Sequence, residues 1–422
     1  MSAPISEPIS EPISAPISAP ISLEDFTAEA EAYLAEHYPK ARRSESRRFV
    51  WGEGSDEVRV FQEPDPEQEA DAMPAIKAWR AGLWEAGFGW ITGPTEYGGR
   101  GLPGSYQRAF ERVARGFEVP GDGALTISLG MIAPTILKHG SEEQKQHYLP
   151  KLYSGELICC QLFSEPGAGS DLASLSTRAV RAEDGGWRVT GQKVWTSGAH
   201  LADIGEVICR TADSPRHRNL TAFLVDLRAP GVEVRPLRQM TGGSSFNEVF
   251  LDDVAVPDEA RLDDEGNGWP VALTTLANER NAMGHSAFGG AGILSTERLA
   301  ELVRHAGAAE DPVVRRAFGE LLVQLRAARY TQAVMGARAK AGDSPGPEVA
   351  LNKIALSANM GRLGEFVSSV LGPKAVADSG EWGTYAWTSV VLGAPGYRLG
   401  GGTDEVLKNM IAQRVLGLPR AR

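Results

Sequence analysis

Three stretches of this chain carry residue types whose spacing could do chemistry. The first is Gln161-Leu162-Phe163-Ser164-Glu165-Pro166-Gly167-Ala168-Gly169-Ser170-Asp171. The second, about 20 residues on, is Gly191-Gln192-Lys193-Val194-Trp195-Thr196-Ser197. The third is a carboxylate beside a cation, Glu279-Arg280, within Leu276-Ala277-Asn278-Glu279-Arg280. Gly169 has no β-carbon to keep an anionic group away, and Ser170 adds a hydroxyl donor. A well-placed carboxylate can act as a general base. Taken singly, each has an ordinary reading: Trp195 as core, Gly169 as a turn, Glu279 as a solvated helix residue paired with a neighbouring cation.

These stretches need elements to position them. The first residues repeat Pro-Ile-Ser-Glu every four residues to Ser22, with Ala replacing Glu late on. Proline at that spacing excludes a helix and a sheet ladder, so 1–22 reads as a disordered or extended tail. Helical signals follow. Asp25 is placed to cap a segment through Glu29, Tyr33 and Leu34. Ile76, Trp79, Leu83 and Trp84 recur at helical spacing, and a further helix is expected from about Ser105 to Phe117. Gly98-Gly99-Arg100-Gly101 is a turn, Gly121 to Gly140 reads as buried, and Ser141 with Gln144 forms a capping box. From Ile158 to Val256 β-rich runs alternate with turns, Gly185-Gly186 among them. From Trp269 onward about four long helices are expected: one beginning at Trp269, then Arg315 to Ala341, Pro345 to Leu371 and Thr403 to Leu416. The domains expected are a tail at 1–22, a helical domain at 23–157, a β domain at 158–268 and a helical bundle at 269–422.

Composition excludes several function classes. With 43 basic against 54 acidic side chains, the net charge is -11 over 422 residues. Broad nucleic-acid binding and adhesion to an anionic membrane both need clustered cations. Cys159, Cys160 and Cys209 are the only cysteines, two adjacent and one left over, which argues against a disulfide framework. No run approaches the length of a membrane span, and the start lacks a signal-peptide pattern. A cytoplasmic location is expected.

Taken in order, these motifs resemble the acyl-CoA dehydrogenase family over about residues 23 to 420. Pro94-Thr95-Glu96-Tyr97-Gly98-Gly99-Arg100-Gly101 and Gly140 to Lys145, leading to Leu149-Pro150, are similar to its N-terminal helical domain. The two glycine-bearing stretches are similar to its flavin-binding segments. Phe246 to Phe250 with Val254-Ala255-Val256-Pro257 matches its last strands, and Gly402-Thr403-Asp404-Glu405 with Ala412 to Arg420 matches its C-terminus. The resemblance implies an α+β fold: an N-terminal helical domain, a middle β-barrel-like domain and a C-terminal four-helix bundle.

It also implies FAD as cofactor. Phe163 and Ser164 would line the flavin ring and its pyrimidine edge, Trp195 would pack against the ring, and Ser197 would place a hydroxyl near the reactive nitrogen. Gly169 and Ser170 would offer donors to the pyrophosphate, and Thr403 and Glu405 belong to the same cofactor-binding set. The implied reaction removes the α-proton of an acyl-CoA thioester and passes the β-hydride to the flavin, giving a trans-2-enoyl-CoA. Electrons then go to an electron-transfer flavoprotein.

Many members carry the base immediately before Gly-Thr, where this chain has Gly401. Others carry it in the long helix that opens the C-terminal domain, just before an arginine. Glu279 is therefore the expected base, with Arg280 in support, and His285 reads as structural. The family's Arg-x-x-Phe-Gly, which reaches a neighbouring subunit's flavin, is replaced by Arg304-His305-Ala306-Gly307, with Arg315-Arg316-Ala317-Phe318-Gly319 as a late alternative. Gln-x-x-Gly-Gly is replaced near Ser369 to Pro373. A homotetramer is thereby in question, and one half of a mixed α2β2 assembly is an alternative. Two other readings keep the fold: a flavin monooxygenase or nitroalkane-oxidising enzyme, and a non-catalytic subunit of a heteromer. Loss of the usual glutamate favours a branched or bulky acyl group over a plain fatty one.

Overall fold

The computed structural model describes residues 21–41, 49–58, 66–213, 217–286, 295–340 and 346–420. The repeat at 1–20 and the side chains of Arg280 and His285 lie outside the described set. The chain divides into two compact units: residues to Arg43 with Glu85–Val119, and Ser44–Trp84 with Pro120–Arg422.

The smaller unit holds helices α1 (Leu23–His37) and α3 (Gly104–Ala114). Ser22, rather than Asp25, caps α1: its hydroxyl accepts from the Asp25 N–H, and Asp25 sits in the first turn where an anion suits the helix dipole. Phe26 packs edge-on against Phe88 and Tyr106, and Arg100 lies over Phe26 and Phe88 while pairing with Glu29. The turn at residues 98–101 is tight, because a β-carbon on Gly99 would lie 2.2 Å from the Gly93 carbonyl oxygen.

The larger unit contains α2 (Pro66–Glu85, all but its last residue), α4 (Ala133–His139) and α5 (Glu142–Tyr153). The capping box forms at the start of α5, with Ser141 and Gln144 bonding each other's backbone N–H. Within the apolar segment at 121–140, residues Ser128–Ile132 form a π-turn that runs directly into α4.

Eight strands follow: β1 (Cys159–Leu162), β2 (Arg178–Arg181), β3 (Trp187–Ser197), β4 (Ile204–Arg210), β5 (Leu220–Asp226), β6 (Val232–Leu237), β7 (Phe246–Val256) and β8 (Arg261–Leu262). They form one mixed sheet in the order β6-β7-β3-β2-β4-β5-β8, with β1 paired in parallel to β4. Its core includes Leu162, Trp187, Val189, Val207, Cys209, Phe223, Val249 and Val254. The three cysteines are buried and free.

The C-terminal helices are α6 (Gly268–Ser286), α7 (Thr296–His305), α8 (Pro312–Lys340), α9 (Ala350–Leu371), α10 (Thr388–Tyr397) and α11 (Asp404–Arg414). The expected helices are present; α7 and α10 stand between them as shorter additions. Leu299, Leu325, Leu363, Phe366, Val367, Trp387 and Val390 fill this bundle's core. Among the described residues, no helix is long and apolar enough to cross a membrane.

Candidate functional site

The first two motifs meet at a defect in the sheet. Strand β3 pairs with β7 up to Lys193 and resumes at Thr196. In the gap the Val194 N–H bonds instead to the Ser164 carbonyl, at 2.9 Å. This bulge holds Trp195 at φ +62, a conformation that is strained for a bulky side chain. The strain turns the indole outward: Trp195 is 61% exposed, so it is not a core residue, and it touches Phe246 edge-on at 6.0 Å. Phe163 is buried, while Ser164 and Ser197 are half-buried beside the bulge. Gly169 and Ser170 are exposed, and no atom lies within 4 Å of where a Gly169 β-carbon would stand.

Beneath the bulge lies an ion pair that the sequence reading assigned no role. Lys193, completely buried, donates to Glu165 at 2.9 Å and to the carbonyls of Phe163 and Ile208 at 3.2 and 2.9 Å. Glu165 also accepts from the backbone N–H and hydroxyl of both Ser176 and Thr177, at 2.5 to 2.9 Å. Burial pushes this carboxyl's pKa up, but Lys193 and the four hydrogen bonds outweigh it and hold it at about 2.

Two orphaned buried oxygens sit on the same strands. Among the described residues, Thr196 Oγ1 and Asn247 Oδ1 have no hydrogen-bond partner, and their residues face each other across β3 and β7. The Asn247 amide holds the Thr196 carbonyl at 3.0 Å and approaches His200, which pairs with Glu69 of α2 at 3.1 Å. An outward indole on a braced bulge, flanking hydroxyls and an open glycine-serine loop fit a planar, phosphate-bearing cofactor such as FAD.

Glu279 lies on α6 and is half-buried. It is four residues from Thr275, which is completely buried, so it continues the inward stripe of Val271 and Thr275. Thr403 caps α11 through the Val406 N–H, and Glu405 is exposed near Arg398, 3.6 Å away. Their neighbour Asp404 is buried and bound by Ser357, Lys353 and Arg398, so this end of α11 is anchored within the bundle. The hydrogen bonds described for Thr403 and Asp404 stay within the bundle and none runs to β3.

Comparison with known proteins decides the family. Residues 27–156, 160–254 and 266–416 match the N-terminal, middle and C-terminal domains of acyl-CoA dehydrogenase. The acyl-CoA dehydrogenase IpdE1 of Mycobacterium tuberculosis is 39% identical over 84% of this chain and 91% of its own. The chain belongs to the acyl-CoA dehydrogenase family. FadE34 of the same organism, also named an acyl-CoA dehydrogenase, is 43% identical over 68% of this chain, which spans 39% of that longer relative. Among solved structures, a steroid acyl-CoA dehydrogenase designated Tcur3481-Tcur3483 superposes with a TM-score of 0.69 and 27% identity, covering 96% of this chain and 99% of that one.

Within the family, two local departures gain a structural reading. Gly401 sits at φ +67 and Gly402 at φ +90, so a side chain at 401 would incur about 1–2 kcal/mol of backbone strain. In the late alternative for Arg-x-x-Phe-Gly, Phe318 stacks on Phe366 at 5.6 Å, while Arg315 is exposed and lies 3.5 Å from Glu310.

Proposed function

We propose that this chain is an FAD-dependent acyl-CoA dehydrogenase that uses Glu279 as its base. The observation that carries the reading is a pair: a carboxylate on the inward stripe of α6, and a left-handed glycine at 401 where many relatives keep theirs. In this reading a Glu279 carboxylate oxygen takes the α-proton of the bound thioester. Phe163, Ser164, Trp195, Ser197, Gly169 and Ser170 hold FAD, with Thr403 and Glu405 contributing from α11. Bound there, FAD supplies the acceptor for the β-hydride. Lys193 and Glu165 keep the Phe163–Ser164 backbone in place, and the exposed indole covers the ring.

The substrate is an acyl-CoA with a bulky acyl group, of the steroid side-chain kind, supported by the solved steroid enzyme that the fold matches. Electrons leave to an electron-transfer flavoprotein. The test is anaerobic addition of short, long, branched and steroid side-chain acyl-CoAs to purified protein. Bleaching of a flavin band by the bulky members is the expected result. A bound flavin that none of them reduces, with oxygen consumed when reduced flavin is supplied, would replace this reading with the monooxygenase one.

Trp195→Ala gives a sharper check on the cofactor set. Because the indole is 61% exposed, thermal stability should change by less than about 0.5 kcal/mol. Flavin affinity should fall about tenfold, the scale of one lost aromatic stacking contact. Unchanged flavin retention on dialysis would remove Trp195 from the site.

A second reading concerns assembly. Phe318 is stacked on Phe366 within its own bundle, and Arg304-His305-Ala306-Gly307 stands where the usual Arg-x-x-Phe-Gly would. That favours a mixed oligomer in which a related chain completes the site. The expected result is flavin-poor protein when expressed alone and full flavin content on co-expression with the related chain; full loading of a single-chain tetramer would exclude it.

A further inference from the structure

Glu206 is an acid within strand β4, whose residues Ile204 to Cys209 are all buried. Successive residues of β4 face opposite ways. Val207 and Cys209 enter the sheet core, so Glu206 points to the other side, toward α6, with no exposed surface. Among the described residues no Lys, Arg or His pairs with it; its hydrogen-bond partner is Thr275 Oγ1, at 2.9 and 3.0 Å from its two oxygens. The neighbouring titratable group is the Cys159 thiol on β1, which brings no positive charge. Burial raises the Glu206 carboxyl to about 8, with the Thr275 bond opposing.

The contacts continue beyond Thr275. Its hydroxyl lies 3.0 Å from Thr135 Oγ1 on α4, and Thr135 Oγ1 lies 2.8 Å from the Met131 carbonyl in the π-turn. Asn278 Nδ2 donates to that same carbonyl at 3.3 Å. A hydroxyl has one proton to give. Either threonine can donate in the Thr135–Thr275 pair, and the Thr275 hydroxyl also lies 3.4 Å from the Val271 carbonyl. With Thr135 donating to Met131 and Thr275 to Thr135, Thr275 is left to accept and Glu206 to donate.

We propose that Glu206 is kept as a neutral carboxylic acid and starts a directed hydrogen-bond chain, through Thr275 and Thr135 to the Met131 carbonyl, that fixes α6 on the π-turn and thereby positions Glu279. The chain joins α6 one turn before Glu279, and Asn278 anchors the same turn. Glu206 acts as a positioning residue, and its effect on rate rests on Glu279 being the base.

Infrared spectroscopy of the flavin-loaded protein tests the proton directly. Wild type should show the carbonyl stretch of a buried protonated carboxyl, and Glu206→Gln should lack it; no such band in wild type overturns the proposal. Kinetics test the positioning. A glutamine amide can still donate to Thr275, so Glu206→Gln should stay within about threefold of wild-type kcat. Glu206→Leu fills the space but starts no chain, and kcat should fall about ten- to hundredfold with KM little changed, the cost of a base displaced by a fraction of an ångström to an ångström. Thr275→Val breaks the chain without touching the acid and should show the same loss, which covers a Glu206→Leu protein that fails to fold. Equal damage in the glutamine and leucine variants, or none in leucine and valine, overturns the positioning role. If Glu279→Gln alone proves harmless, the base assignment fails, and the infrared band still decides where the Glu206 proton lies.

Discussion

Glu279→Gln should slow substrate-dependent flavin reduction by about 10²- to 10⁴-fold, the range a positioned general base supplies. Glutamine matches glutamate in size and is as good a helix former, so α6 should keep its packing. The position is half-buried on the inward stripe of the helix, where a shorter residue would leave a gap. What glutamine lacks is a lone pair basic enough to take the α-proton. Flavin content and melting temperature should therefore match wild type while the single-turnover rate collapses. Anaerobic stopped flow at the flavin band measures it. A variant that bleaches at the wild-type rate would sink the assignment, and the base would have to be sought outside α6 and outside Gly401.

The second large effect is on stability. Glu165→Gln should destabilise the fold by about 3–5 kcal/mol, because it strands the completely buried Lys193 without its counter-charge. Lys193 would keep the Phe163 and Ile208 carbonyls, which do not neutralise it. Since Phe163 borders the bulge, flavin should be lost at lower denaturant concentration than in wild type. The pH dependence has a definite sign. Glu165 titrates near 2 folded against 4.5 for the free group, so its stabilisation is complete above about pH 4.5 and is lost as pH falls toward 2. The difference corresponds to about 3 kcal/mol, and the glutamine variant should lose that acid sensitivity. A double change, Glu165→Leu with Lys193→Met, removes both charges and should recover much of the loss. Urea titration of the three proteins at pH 7 and about pH 3 decides it; equal stability of wild type and Glu165→Gln at pH 7 would show that the pair contributes nothing.

Short-range patterns carried much of this protein. The capping box at Ser141 and Gln144 forms as spaced, and the helical periodicities of the C-terminal half appear as α6, α8 and α9. Motif order was enough to place the chain in its family, since each motif is a local run whose chemistry does not depend on distant residues. Element ends were less legible: Ser22 caps α1 although the proline repeat claims it for the tail, because its hydroxyl, directly before the helix, accepts an otherwise unpaired first-turn N–H. Strand β4 was harder still, since its buried run Ile204 to Cys209 lacks the alternation that marks a strand.

Partners distant in sequence were decided only by the tertiary structure. Glu165 meets Lys193 because β3 and the segment after β1 are brought side by side, and the register of β3 against β7 forces the bulge that turns Trp195 to solvent. Glu206 reaches Thr275 and Thr135 across 69 and 140 residues of sequence separation in successive steps. A carboxyl's charge state depends on its dielectric surroundings and its partners, and those come from three segments folding onto one another. Residue types and local spacing determined which groups this chain offers for chemistry; burial and long-range pairing decided that Glu165 meets a buried cation, Lys193, while Glu206 is buried against a hydroxyl, Thr275.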